Sequence, residues 1–279
     1  MTTRLPTTMI APNSPLSVVA RDGSGAATIF NIPSNNKVYG YGCECTYVDD
    51  NAILITAGKQ YSLTEHVGEL TTDVTKTFDS FTSGDNQGGL DAGLKTANTF
   101  YYPHLIKNTL TNAADVLISA SATAPTIPAD HVHIKRLGAI WVDANSNIRP
   151  FVQIGKYFGY QQAILEGSVT NPGNINVNHK IPNQLRTNAR IYIDLSNSGN
   201  YRAAILYRVQ GANQTLGPTP TYTMWAAVGG NTSNSNSHNG SGYVIFTTMS
   251  GSINYLFSLG YGGTTTTRYL TQGWYDLDL

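Results

Sequence analysis

The sequence predicts an all-β protein: a jelly-roll-like β-sandwich with at most one short helix and an extended N-terminal arm. Three observations carry this. Short apolar runs, several of them alternating with period two, recur from Cys43 onward, and clusters of Gly, Asn, Ser and Asp separate them. One segment alone has helical spacing. No repeat of fixed period runs through the chain, which disfavours a β-helix or propeller and leaves a two-layer sandwich.

Residues 1–40 are rich in Thr, Pro, Ser and Gly, and their apolar patches, Leu16 to Ala20 and Ala27 to Ile32, are too short to enclose a core. They read as an arm that needs a partner surface. Residues 41–279 make up the sandwich, with a point of subdivision near residue 160. The helical spacing lies just after residue 60, where Ser62 and Glu65 fit a capping box and Leu63, Val67, Leu70 and Val74 follow. Gly68 weakens that helix by about 1 kcal/mol.

Further along, AIWVD and IRPFVQI flank ANSN as a hairpin, with Pro150 sending the second run to a sheet edge or bulge. Ile191, Ile193 and Leu195 share one face of a strand, SNSGN turns the chain, and Ala203, Ile205, Tyr207 and Val209 face together, a second hairpin. YVIFTTM and INYLF meet at Ser250-Gly251 as a third. The segment GGNTSNSNSHNGSG, Gly229 to Gly242, joins TYTMWAAV to YVIFTTM and reads as a hairpin tip in solvent.

Composition narrows the function. Of 279 residues only 12% are charged and 41% are hydrophobic, and 17 Lys plus Arg balance 17 Asp plus Glu. No basic run could displace counterions along a phosphate backbone, so nucleic-acid binding is not expected. Zero net charge favours self-association. No segment approaches the roughly eighteen apolar residues of a membrane span, so no membrane insertion is expected. The N-terminus lacks the basic head and apolar run of a secretory signal, which implies assembly in the cytoplasm. Cys43 and Cys45 lie too close along one strand for an ordinary bridge and read as small buried residues.

The chemical candidates are few. In PADHVHIKRLGAIWVD, His131 and His133 would share one strand face. A metal site needs three or four converging ligands, yet Ile134, Lys135, Arg136 and Leu137 come next and no carboxylate appears before Asp143. The pair reads as a polar strand edge, and neither metal nor cofactor is expected. Four glutamates are present: Glu65 and Glu69 on the expected helix beside His66, with Glu44 and Glu166 isolated. Glycosidase chemistry needs two facing carboxyls, and a pair such as Asp79 and Glu166 stays open although nothing points to it. GxSxG and the nucleotide-binding glycine patterns are absent. No catalytic residue is assigned.

Aromatic clusters are more suggestive: Tyr157, Phe158 and Tyr160; Tyr222 and Trp225; then Tyr255, Tyr261, Tyr269, Trp274 and Tyr275. Such rings suit a core, a subunit interface or sugar stacking. Amides and rings on loops can meet glycan hydroxyls, and the receptor-contact candidates are Asn231, Asn234, Asn236, His238, Asn239 and Tyr261.

Three stretches, NQGGLDAGLKTANTFYYPHLIKN (Asn86 to Asn108), ADVLISASATAPTIP (Ala114 to Pro128) and IKRLGAIWVDANSNIRPFVQIGKYF (Ile134 to Phe158), resemble a domain recurring in tail fibres and other virion structural proteins of tailed bacteriophages and prophages. Looser similarity in AILITAGKQYS and INYLFSLGYGGTTTTRYLTQGWYDLD extends it over about residues 47–279. His131 and His133 depart from that pattern; Lys135-Arg136 then reads as outward charge and Gly138 as a close backbone approach. The resemblance implies a non-enzymatic virion component. The first expectation is a tail fibre or tail-associated receptor-binding protein, a homotrimer docked on other virion proteins through residues 1–40 and binding a host surface glycan. The alternative is a capsid decoration, head-fibre or connector protein without a receptor role. A glycan depolymerase comes third, disfavoured by the scarcity of carboxylates.

Overall fold

The computed structural model describes residues 17–21, 27–31, 40–62, 66–170, 175–197, 203–209, 224–228, 238–248, 252–259 and 265–279, without the side chains of 17–31, 195, 197 and 203–265. The chain divides into two compact units, residues 1–39 and 40–279. In the first, β1 (Ser17–Arg21) pairs antiparallel with β2 (Ala27–Asn31), Ser17 opposite Asn31. β-branched Val18, Val19, Thr28 and Ile29 suit a pleated ladder.

The second unit begins with β3 (Tyr41–Gly42), β4 (Cys45–Asp49), β5 (Ala52–Ile55), β6 (Gly58–Tyr61), β7 (Val67–Leu70) and β8 (Val74–Ser80). There follow β9 (Gln87–Leu90), β10 (Thr99–Asn108), β11 (Ala114–Ser119), β12 (His131–Arg136) and β13 (Ile140–Val142). One mixed sheet runs β12-β10-β11-β9-β8-β5-β4, with β13 also on β10; β3-β6-β7 form a small second sheet. Cys43 and Cys45 are buried and unbridged.

Where a helix is expected, the structure has two strands, β7 and β8. Ser62 N donates to the His66 carbonyl (2.8 Å) and His66 N to Ser62 Oγ (3.0 Å), so the capping serine ties off the β6–β7 connection. Glu69 lies opposite Lys59 on β6 and forms a 3.0 Å ion pair with it. Gly68 explains the preference: a Cβ there would fall 2.7 Å from Leu105 Cδ2 and 3.1 Å from Ile134 Cγ1. The residue that costs a helix stability lets β7 settle on β10 and β12.

The remaining strands are β14 (Phe151–Ile154), β15 (Tyr157–Thr170), β16 (Ile175–Asn178), β17 (Thr187–Asn197), β18 (Ala203–Val209), β19 (Met224–Val228), β20 (His238–Thr248), β21 (Ser252–Leu259) and β22 (Thr265–Asp276). They build two sheets, β14-β15-β22-β17-β20 and β16-β21-β18-β19. Without the edge strand β14, this is the interleaved order of a jelly roll, two four-stranded sheets between which the chain crosses repeatedly.

That order overturns the expected hairpins. β17 pairs along its length with β20 on one side and β22 on the other, so neither edge is left for β18. β18 pairs instead with β19 and β21 in the other sheet. β20 and β21 likewise part company, as do β19 and β20. Sequence neighbours often pair, but among the jelly-roll strands β15 to β22 only β18 and β19 do. The ANSN turn is closed locally, by Asp143 N to the Asn147 carbonyl (2.9 Å), Arg149 N to the Trp141 carbonyl (2.9 Å) and an antiparallel Val142–Ile148 bridge, but it does not extend into a hairpin of the two runs, since β13 pairs with β10 and β14 with β15. β14, just after Pro150, does take a sheet edge.

Trp274 joins the jelly roll to the first sheet. It is 1% exposed, stacks on Phe158 at 5.5 Å, and meets the edges of Tyr160 and of Phe100 on β10. Two glycines make room around Phe158: a Cβ on Gly138 would lie 2.7 Å from its ring, and one on Gly273 would lie 2.1 Å from its carbonyl oxygen. The close approach at Gly138 is thus to an aromatic ring. Arg136 is a correction, because it points inward: alternation on β12 buries it with Ile134, and Asp276 of β22 meets its guanidinium. Lys135 points toward Gln60 Oε1, 3.3 Å away.

Candidate binding site

Asn231, Asn234, Asn236 and Tyr261 lie outside the described residues. His238 and Asn239 open β20, paired with Asn197 and Ser196. They belong to a strand, and Gly229–Gly242 is not the tip of a β19–β20 hairpin.

The two strand histidines part in role. His131 Nδ1 is 2.8 Å from the Ala129 carbonyl, whereas His133 Nε2 lies 3.0 Å from His104 Nδ1, and His104 Nε2 lies 3.0 Å from the Ser121 carbonyl. Burial pushes His104 down to about 3 and keeps it neutral. Its Nε2–H must donate to Ser121, so its Nδ1 accepts from His133. Among the described residues, no group of three His, Cys, Asp or Glu is placed to hold a metal. Asp79 is exposed on β8, while Glu166 is on β15 in a different sheet, so the structure does not pair them within one sheet.

The structure offers another place. A cavity of about 490 Å³ opens where β10 and β13 face the segment after β16. Ligand cavities run roughly 300–1,000 Å³. Phe100 and Trp141 form its apolar wall, their ring centres 4.8 Å apart, and Asn98, Asn178 and Asn183 stand exposed around it. Lys180 reaches over Trp141, Nζ 5.5 Å from the ring centroid.

Local structure holds these groups. Asn98 has φ 54°, a left-handed conformation that asparagine tolerates, and its N–H donates to the Asp143 carbonyl at 3.1 Å. Gln184 straps the second wall to the first sheet, accepting from Ala122 N (3.0 Å) and donating to the Ala120 carbonyl (3.2 Å). Tyr160 donates to the Lys180 carbonyl at 2.9 Å, and Ile181 and Leu185 are buried as anchors.

Beneath the cavity runs a polar chain. Thr271 donates to Glu166 at 2.5 Å, so the hydroxyl oxygen is left to accept from His179 Nδ1 at 2.9 Å. Burial, then the nearby Lys180 charge, pushes His179 down to about 3. Burial raises Glu166, which also accepts from Lys180 N at 2.6 Å and has Lys180 Nζ 3.8 Å away. With His179 neutral, Lys180 is the one charged group among the lining residues. The lining thus carries two aromatic rings, several amides and one ammonium.

This site is missed by sequence reasoning because its walls come from residues near 98, 141 and 180. The signal available is the amide-rich NHKIPNQ, Asn178 to Gln184, which lies outside every aromatic cluster.

No protein-family model and no curated protein matches the chain. Among solved structures, a tryptic core variant of Cry1Da from Bacillus thuringiensis is similar at 8% identity and a TM-score of 0.20, over 84% of this chain and 50% of that one. The chain thus spans half the length of that core. A structure of the infectious bursal disease virus Gx strain is similar at 10% identity and a TM-score of 0.19, over 84% of this chain and 70% of the other. Likenesses this distant say nothing of function.

Proposed function

We propose that the chain is a structural component of a tailed-bacteriophage virion, a tail fibre or tail-associated receptor-binding protein that grips a host surface glycan without altering it. The observation that carries this reading is a jelly roll, an architecture of viral capsid and lectin domains, bordered by a cavity walled with rings and amides. The fold alone would not suffice, since one architecture hosts many functions. The particle assignment rests on the resemblance of the stretch around SASATAPTIP to a domain of tail fibres and other virion proteins.

The protein acts as a homo-oligomer, a trimer, docked on other virion proteins through residues 1–40. Val152, Ile154 and Tyr275, exposed by 42, 71 and 41%, lie with Tyr157 on one face of β14, β15 and β22. That apolar strip, on a chain of zero net charge, suits a second copy of the chain. Several copies on one particle turn weak single contacts into useful avidity.

Gold-labelled antibody against the chain, imaged on purified particles, tests the reading. A few copies at the tail are expected. Many tens over the head would favour the decoration reading, and absence from particles would reject both. Oligosaccharide released from host capsule or lipopolysaccharide by the purified protein would instead favour a depolymerase.

A further inference from the structure

We infer that the cavity between Phe100, Trp141 and the Asn178–Gln184 segment is a subsite for a single acidic sugar, a hexuronate. Its C–H face would lie on Trp141, its hydroxyls on the three amides and its carboxylate on Lys180. This deepens the glycan-binding reading and rests on it.

The amides of Asn98, Asn178 and Asn183 are exposed at the cavity, and their side chains have no partner among the described residues, so each keeps a donor and an acceptor for vicinal hydroxyls. Thr99 and Gln184 are already engaged, Thr99 Oγ1 with the Ala97 carbonyl at 3.1 Å and Gln184 with Ala120 and Ala122. The first group therefore reads the ligand and the second shapes the wall.

The charge sets the class. Lys180 is 35% exposed along its side chain and only loosely held by Glu166, 3.8 Å away. The Glu166 Oε1 atom is occupied by Thr271 and by the Lys180 backbone N–H. The ammonium thus keeps donors for an incoming anion. At present it covers the Trp141 ring, and a neutral sugar would have to displace it with nothing in exchange. A carboxylate would draw it off the indole and free that face for stacking. One ammonium, with no arginine among the lining residues, matches one carboxylate better than a phosphate, which favours bidentate or multiple donors.

The test is calorimetric titration of the full-length protein with methyl β-D-glucuronide and methyl β-D-glucoside, which differ only at C6, with saturation-transfer NMR on both. The glucuronide should bind roughly fivefold more tightly, a modest factor because the ammonium is partly solvated. Raised salt should weaken the glucuronide alone. Lys180→Gln should abolish the preference, weakening the glucuronide while the glucoside, with no ammonium left to displace from Trp141, binds at least as tightly as before, whereas Asn183→Ala should weaken both sugars alike. Equal affinity for the two sugars, binding of neither, or a preference surviving Lys180→Gln would overturn the subsite. A chain found on the tail that binds neither sugar sinks the subsite alone; glucuronide binding by a chain absent from particles upholds the subsite and sinks the virion reading.

Discussion

The guanidinium of Arg136 and the carboxylate of Asp276 meet through two nitrogens and two oxygens inside the protein, 140 residues apart in sequence, the second contact at 3.1 Å. Arg136 ends β12 of the first sheet and Asp276 ends β22 of the jelly roll, so one buried ion pair ties the two halves. Asp276 Oδ1 also accepts from Asp278 N at 3.0 Å, which directs the chain's final turn.

Removing one partner leaves the other charge buried. Asp276→Ala should cost about 3–5 kcal/mol by urea denaturation, and combining it with Arg136→Met should recover part of that loss. Equal stability of the wild type and Asp276→Ala would mean that the pair does not bridge the halves.

Acid should weaken the fold below neutrality. His104 and His179 are pushed down to about 3 by burial, from the 6.5 of an exposed imidazole. Between those values the unfolded chain binds more protons, so stability is complete above about pH 6.5 and drains away as pH falls, by up to about 1.4 kcal/mol per pH unit for each histidine. Half-buried His133, also lowered, adds the same sign; Glu166, raised by burial, works the other way in the carboxylate range. Thermal melts from pH 7.5 to 4 should show a falling midpoint, and a His104→Gln, His179→Gln variant a shallower fall. A flat wild-type profile would contradict the buried neutral state.

Phe158 is held between backbone and ring contacts that leave no space for a methyl group. Gly273→Ala, facing a carbonyl oxygen at 2.1 Å, should destabilise more than Gly138→Ala, facing a ring edge at 2.7 Å that can shift. The expected losses are roughly 1–3 kcal/mol, read from denaturation midpoints. Near-ultraviolet circular dichroism should weaken with the first substitution, because Phe158 stacks on Trp274.

The outward strip on β14, β15 and β22 predicts association. Ile154→Lys places a charge at its most exposed point and should shift the protein toward monomer in light scattering while leaving the melting temperature nearly unchanged. An unchanged mass would remove this face from the oligomer interface.

Much of the fold was legible. Alternation placed Ile191 and Ile193 together on a buried face, Pro150 marked the edge strand, and the spacing of Cys43 and Cys45 foretold two buried, unbridged thiols. These are local consequences of pleat, ring and chain geometry. The spacing of Val67, Leu70 and Val74 after Ser62 is compatible with helix and with strand, and the choice lies with Leu105 and Ile134 packed against Gly68. The expected hairpins give way to other pairings because turn residues show where a strand ends and not which strand receives its free edge. Arg136 reads as outward until Asp276 is in view. The cavity was out of reach for the same reason, since Asn98, Trp141 and Lys180 share no local pattern.

By itself the sequence determined an all-β chain with a nearly neutral surface, because strand periodicity, turn chemistry and charge count are properties of short stretches. Only the tertiary structure decided which strands pair, which charges are buried together and where rings and amides converge. Those outcomes depend on competition among distant segments for the same edges and the same interior volume, which no local stretch encodes.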